Sequence, residues 1–182
     1  TRYQPPAERR ADGVTIRNCR IFDYRHATNS MNTSAIKTYH SDHICIEHCE
    51  IYDNTLGVFY KSDTDDSTIR ANLIHHNYIG AYLWNYLSNS SVNVSIYHNL
   101  FVYNAPMVFE DSTQEATGSD GLSFFNNTCY SGDQKSASVQ LGGGLNKRFY
   151  NNLFKGLARD GDVGLFRFFP SGTTPYTTTL CD

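Results

Sequence analysis

The hexapeptide KSDTDD, residues 61 to 66, puts one lysine just ahead of three carboxylates, Asp63, Asp65 and Asp66. Three carboxylates in four residues can gather Ca²⁺, a hard cation that takes about six to eight oxygen ligands. The spacing is not that of an EF-hand, and solvated turn acids are the competing explanation. A lysine that is desolvated, or crowded by other cations, loses its proton more easily and can serve as a base. Lys61 is therefore the candidate base. His40, Asp42 and His43 lie before it in the chain, and Glu110 and Asp111 after it. Aromatic residues recur at neighbouring positions: Tyr39, Phe59, Tyr82 and Trp84, the last being the single tryptophan.

Whether these groups meet depends on the elements that carry them, and the chain repeats itself. One template runs through it: a large apolar residue, two variable positions, a small polar residue, one variable position and a second apolar residue. It fits Ile16-x-x-Cys19-x-Ile21, Ile46-x-x-Cys49-x-Ile51, Ile69-x-x-Asn72-x-Ile74 and Ile96-x-x-Asn99-x-Phe101. It fits more loosely at Phe124-x-x-Asn127-x-Cys129 and Phe149-x-x-Asn152-x-Phe154. The leading apolar residues lie 30, 23, 27, 28 and 25 positions apart, and a period in the twenties is the mark of a solenoid. The matches are rich in β-branched and aromatic residues and bounded by Asn, Asp, Gly and Ser, so each reads as a short strand entering a polar corner. No window sustains a 3.6-residue apolar period. In a parallel β-coil, like positions stack about 4.8 Å apart. The fourth template position then forms a ladder of Cys19, Cys49, Asn72, Asn99, Asn127 and Asn152. Asparagine suits it, because one amide can bond its neighbours in the stack and the turn backbone together.

Aligning the second strands on Ala35, Gly57, Gly80 and Pro106 sends Ile36, Val58, Ala81 and Met107 inward, followed by Thr38, Tyr60, Leu83 and Phe109. The first outward row is then Lys37, Phe59, Tyr82 and Val108. The second is Tyr39, Lys61, Trp84 and Glu110. Exposed aromatics on a rigid sheet mark a binding surface on which sugar rings could stack, unless a loop or partner covers them. Lys37, Tyr39, Phe59, Tyr82, Trp84 and Glu110 are the candidate substrate-binding residues.

With its I-x-x-N-x-I coils and asparagine ladder, the chain resembles the right-handed parallel β-helix, or pectin-lyase-like, superfamily. The resemblance covers roughly residues 14 to 169. It implies an all-β solenoid of about six coils, with residues 1–13 as leader or cap and 170–182 as a C-terminal tail. Six coils make a rod of about 29 Å, short for that superfamily, so a fragment of a longer rod is expected. The resemblance also implies a carbohydrate-active protein, outside the cell or in the periplasm, with a polysaccharide as partner. On an acidic, uronate-containing chain, some β-helix lyases use a Lys or Arg base beside calcium-binding acids. Lys61 followed by Asp63, Asp65 and Asp66 resembles that arrangement. The Asn-Thr-Asp and Gly-His-Gly elements of polygalacturonases and the Asp-Pro-His element of alginate epimerases are absent. Two alternatives stay open: a hydrolase drawing a carboxylate pair from Asp63, Asp65, Asp66, Glu110 and Asp111, and a non-catalytic glycan-binding or structural rod such as a tailspike or adhesin segment.

Bulk properties narrow the field. A net charge of −3 with scattered lysines and arginines gives no electrostatic case for nucleic acid. No run of 18 apolar residues suggests a membrane span. Five cysteines have no metal-type spacing; Cys19, Cys49 and Cys129 fall on inward template positions, where a disulfide between Cys19 and Cys49 is geometrically open. The histidines at 48, 75, 76 and 98 read as turn and surface residues.

Overall fold

The computed structural model describes residues 11–27, 32–84, 91–110, 119–132, 139–156, 165–168 and 176–180. Three parallel sheets of seven, seven and six strands run the length of the solenoid. The first contains the longest strands, Ser34–Asp42 and Leu56–Asp65, followed by Ile79–Trp84 and Val108–Glu110. Template matches supply the other two, for example Thr68–Arg70 in the second sheet and Leu73–His75 in the third. The first sheet begins at Ala11–Asp12, inside the stretch expected as leader, and the second ends at Tyr176–Leu180, inside the expected tail.

Short strands need sharp corners, and each corner turns on a residue in the left-handed region. Between the second and third sheets these are Asn18, His48, Ala71, His98, Asn126 and Asn151, with φ between 52° and 55°. Asn, Asp and His tolerate that region better than most side chains, which explains the chain's wealth of them. His48 and His98 thus sit at corners, while His75 ends a strand and stacks on Tyr52 at 4.9 Å.

The residue after each of these corner positions is a rung of the expected ladder. Asn72 Nδ2 donates to Asn99 Oδ1 at 3.0 Å and to the Ile46 carbonyl at 2.9 Å. Asn99 repeats this to Asn127 at 3.1 Å, and Asn127 to Asn152 at 3.1 Å. A second ladder, not anticipated, lines the corner from the third sheet to the first: Asn54 donates to Asn77 Oδ1 and Asn77 to Asn104 Oδ1, both at 3.0 Å. Buried amides satisfied this completely hold two corners in register at once.

Stacked apolar side chains fill the bore, Ile46, Ile69, Ile96, Phe124 and Phe149 in one column among them. The four cysteines at 19, 45, 49 and 129 are free thiols, Cys49 and Cys129 buried and Cys19 exposed. Burial pushes the Cys129 thiol well above its usual range.

Candidate functional site

The outer face of the first sheet carries most of the residues singled out, in a register that differs by one residue at Val108–Glu110. The second ladder sets that register. The fourth residue after Asn54, Asn77 and Asn104 is Val58, Ala81 and Val108, and these pair side by side. Aligning Gly80 with Pro106 slipped the last strand by one position, and a one-residue slip exchanges the two faces of a strand. Val108 therefore points into the bore, and Phe109 takes the place expected for it in the outward row.

Glu110 pairs with Leu83 and is wholly buried. It is not an outward substrate contact. Its carboxylate accepts from the ammonium of Lys147, itself wholly buried, and from the backbone NH of Ser119 and Gly142. Lys147 Nζ also donates to the Gly142 carbonyl at 3.2 Å. This ion pair is enclosed within the fold, and Glu110 is withdrawn from any carboxylate pair for hydrolysis. Asp111 lies outside the described residues.

On the outside, one row runs Lys37, Phe59, Tyr82, Phe109, Gln140. Phe59 and Tyr82 stack at 4.6 Å, and Tyr82 and Phe109 at 5.2 Å. With Leu56 and Ile79, Phe59 and Tyr82 form a second apolar cluster, against which Trp84 and Phe109 pack. Phe59 is 0% and Tyr82 3% exposed, so these two are the floor of the face rather than its open surface.

The next row, Tyr39–Lys61–Trp84, lies above that floor. Tyr39 is half exposed. Lys61 Nζ sits 4.6 Å from the Trp84 ring centre, 5.7 Å from Tyr39 and 5.9 Å from Phe59. Lys37 Nζ lies 5.3 Å from Phe59. Asn32, just ahead of strand Ser34–Asp42, binds both ammonium groups: its carbonyl accepts from Lys37 at 3.0 Å and its Oδ1 from Lys61 at 3.1 Å. Among the described residues neither ammonium meets a carboxylate. Partial burial, and then the charge of Lys37, hold Lys61 below the usual lysine range.

The three acids after Lys61 diverge. Asp63 Oδ2 lies 3.2 Å from His40 Nδ1, Asp65 Oδ1 accepts from the backbone NH of Val92 at 2.8 Å, and Asp66 Oδ1 accepts from Asn93 Nδ2 at 3.0 Å. Among the described residues no three His, Cys, Asp or Glu side chains converge as metal ligands do. Elsewhere, an open hollow of about 460 Å³ lies at the corner of the third and first sheets, beside Tyr78 and Tyr103. Its Arg25 is engaged at 2.9 Å by Asp53, so it offers no free cation.

The sequence of residues 8–164 matches the model of the family described as the right handed beta helix region. The chain belongs to that family. No curated protein sequence matches this β-helix. One similar solved structure is the crystal structure of DFA-IIIase from Arthrobacter chlorophenolicus A6 in complex with GF2. It is 12% identical, with a TM-score of 0.42, over 91% of this β-helix and 59% of that chain. The β-helix thus spans 59% of that protein's length. No helix among the described residues is long and apolar enough to cross a membrane.

Proposed function

We propose that the outer face of the first sheet binds an acidic polysaccharide and cleaves it by β-elimination, with Lys61 as base. The observation that carries this reading is the pair Lys37 and Lys61, two ammonium groups on an aromatic floor that meet no carboxylate among the described residues. A uronate offers what such a surface takes: a carboxylate for a lysine, and a sugar ring for the faces of Tyr39 and Trp84. Elimination requires neutralising that carboxylate, removing the C5 proton and protonating the leaving oxygen. The lowered pKa of Lys61 suits it to the second task, and Lys37 to the first. Such a substrate also argues for an extracellular or periplasmic protein. Asp63, Asp65 and Asp66 turn to separate partners, so they do not fit the calcium expected there and no step is given to it.

The test is the ultraviolet absorbance of the unsaturated uronate product, across a panel of acidic polysaccharides, with calcium and with chelator. A rise that disappears in Lys61→Ala supports the lyase and its base; loss with chelator would overturn the exclusion of calcium. Because Asp63, Asp65 and Asp66 each have separate partners, a second reading is a glycan-binding rod without turnover. A flat trace from folded protein that still binds the panel supports that instead.

A further inference from the structure

Strand Leu56–Asp65 and its neighbour Ser34–Asp42 fall out of step beside the candidate base. Tyr39 pairs with Lys61, but the next pair is Ser41 with Thr64. One residue, His40, therefore faces two, Ser62 and Asp63. This is a β-bulge, a device that re-aims side chains and recurs beside active sites. All three residues adopt left-handed backbone, with φ of 49°, 53° and 55°. None is a glycine, and each such conformation is strained unless its surroundings hold it. The surroundings do: Thr38 and Thr64 bond each other at 3.0 Å, and Ser41 Oγ donates to the Tyr39 carbonyl at 3.2 Å.

The bulge brings His40 to Asp63. Nδ1 lies 3.2 Å from the carboxylate, and the buried imidazole packs edge-on against the Tyr39 ring, with centroids 4.1 Å apart at 70°. Tyr39 thus stands braced from behind and exposed in front, as the cross-strand neighbour of Lys61.

We propose that Tyr39 is the proton donor of the elimination and that the bulge-held His40–Asp63 pair positions it. The assignment rests on the elimination reading above and fills the one role left open there. Neutral Lys61 Nζ takes the C5 proton, the C5–H electron pair becomes the C4=C5 double bond, and the C4–O4 bond breaks. The phenol proton of Tyr39 passes to O4. One proton then returns through water from the Lys61 ammonium to the Tyr39 phenolate, restoring both groups. Base and acid lie on one face of the sheet, so proton and leaving group depart from the same side of the sugar ring.

The experiment compares two probes: polymannuronate, in which the C5 hydrogen and O4 lie on the same face of the ring, and a synthetic mannuronate with nitrophenolate at C4, which leaves without protonation. Tyr39→Phe should lose on the order of 100-fold in kcat on the polysaccharide, bind it as the parent does, and cleave the nitrophenolate substrate at the parent's rate. His40→Ala and Asp63→Asn should lose about tenfold in kcat on the polysaccharide alone, with KM unchanged; His40→Asn, which tolerates left-handed backbone and can still donate to Asp63, should recover most of it. Equal losses on both probes, or full activity of Tyr39→Phe on the polysaccharide, overturn the assignment. If Lys61→Ala is inactive while Tyr39→Phe is not, this assignment alone fails. If the parent cleaves neither probe but cleaves another acidic polysaccharide, this assignment alone fails; if it cleaves none, the lyase reading fails with it.

Discussion

Two lysines in this protein lie in opposite surroundings. Lys147 is inside the bore and Lys61 lies on the outer face of the first sheet. Burial lowers the pKa of both. Inside, the carboxylate of Glu110 pulls Lys147 back up and two carbonyl or carboxylate partners hold its ammonium, so its charge is tied to the fold. Outside, among the described residues, the charge that acts on Lys61 is that of Lys37, a second cation, and its ammonium lies beside aromatic rings and an asparagine. The same residue type is thus a strut in one place and a reagent in the other. Both burial and the counter-ion separate them: Lys147 is wholly enclosed and paired with Glu110, whereas Lys61 is only partly buried and meets no carboxylate among the described residues.

That contrast can be broken in order of effect. Glu110→Gln or Lys147→Met alone strands a buried charge or polar group, which typically costs about 3–5 kcal/mol. Urea unfolding should show it, and the pair Glu110→Leu with Lys147→Met should recover most of the loss. Failure of the double variant to recover would mean the pair does more than cancel charge. Asn99→Leu comes next. It removes the oxygen that accepts from both the backbone NH and the Nδ2 of Asn72, at about 1–3 kcal/mol for each buried group left unpaired, read as a drop in melting temperature. A variant that melts like the parent would contradict the ladder.

On the outer face the stability effects should be small. Lys61→Ala should shift unfolding by no more than about 0.5 kcal/mol, as for most surface changes, while abolishing turnover. A large stability loss there would make Lys61 a strut like Lys147. The smallest effect is the most specific. Because the charge of Lys37 lowers the pKa of Lys61, Lys37→Ala removes a repulsion and raises it. The base is then neutral only at higher pH, so the alkaline-rising limb of kcat should move to higher pH. A limb that stays put would show that Lys61 is not the titrating base.

The periodic part of the molecule was legible because a solenoid writes its contacts along the chain: residues one coil apart stack, so Asn72, Asn99, Asn127 and Asn152 name their own neighbours. The second ladder was equally legible and was missed, though Asn77 and Asn104 each follow a first-ladder asparagine by five residues. That spacing would also have corrected the register at Glu110. Lys61 over aromatic rings followed from alternation in strands aligned at Ala35, Gly57 and Gly80. The bulge did not, since YHSD against KSDTD shows no break in alternation that single-chain reading can detect. Nor did the burial of Phe59 and Tyr82.

By itself, then, the amino-acid order determined the coil, its period and its inward stripe, because those depend on interactions between like positions at nearly constant separation. Only the tertiary structure decided which acids are engaged, and that His40 and Asp63 meet behind Tyr39. Those outcomes depend on a one-residue offset between adjacent strands. An offset costs nothing visible in composition or pattern, yet moves a side chain from water to the core.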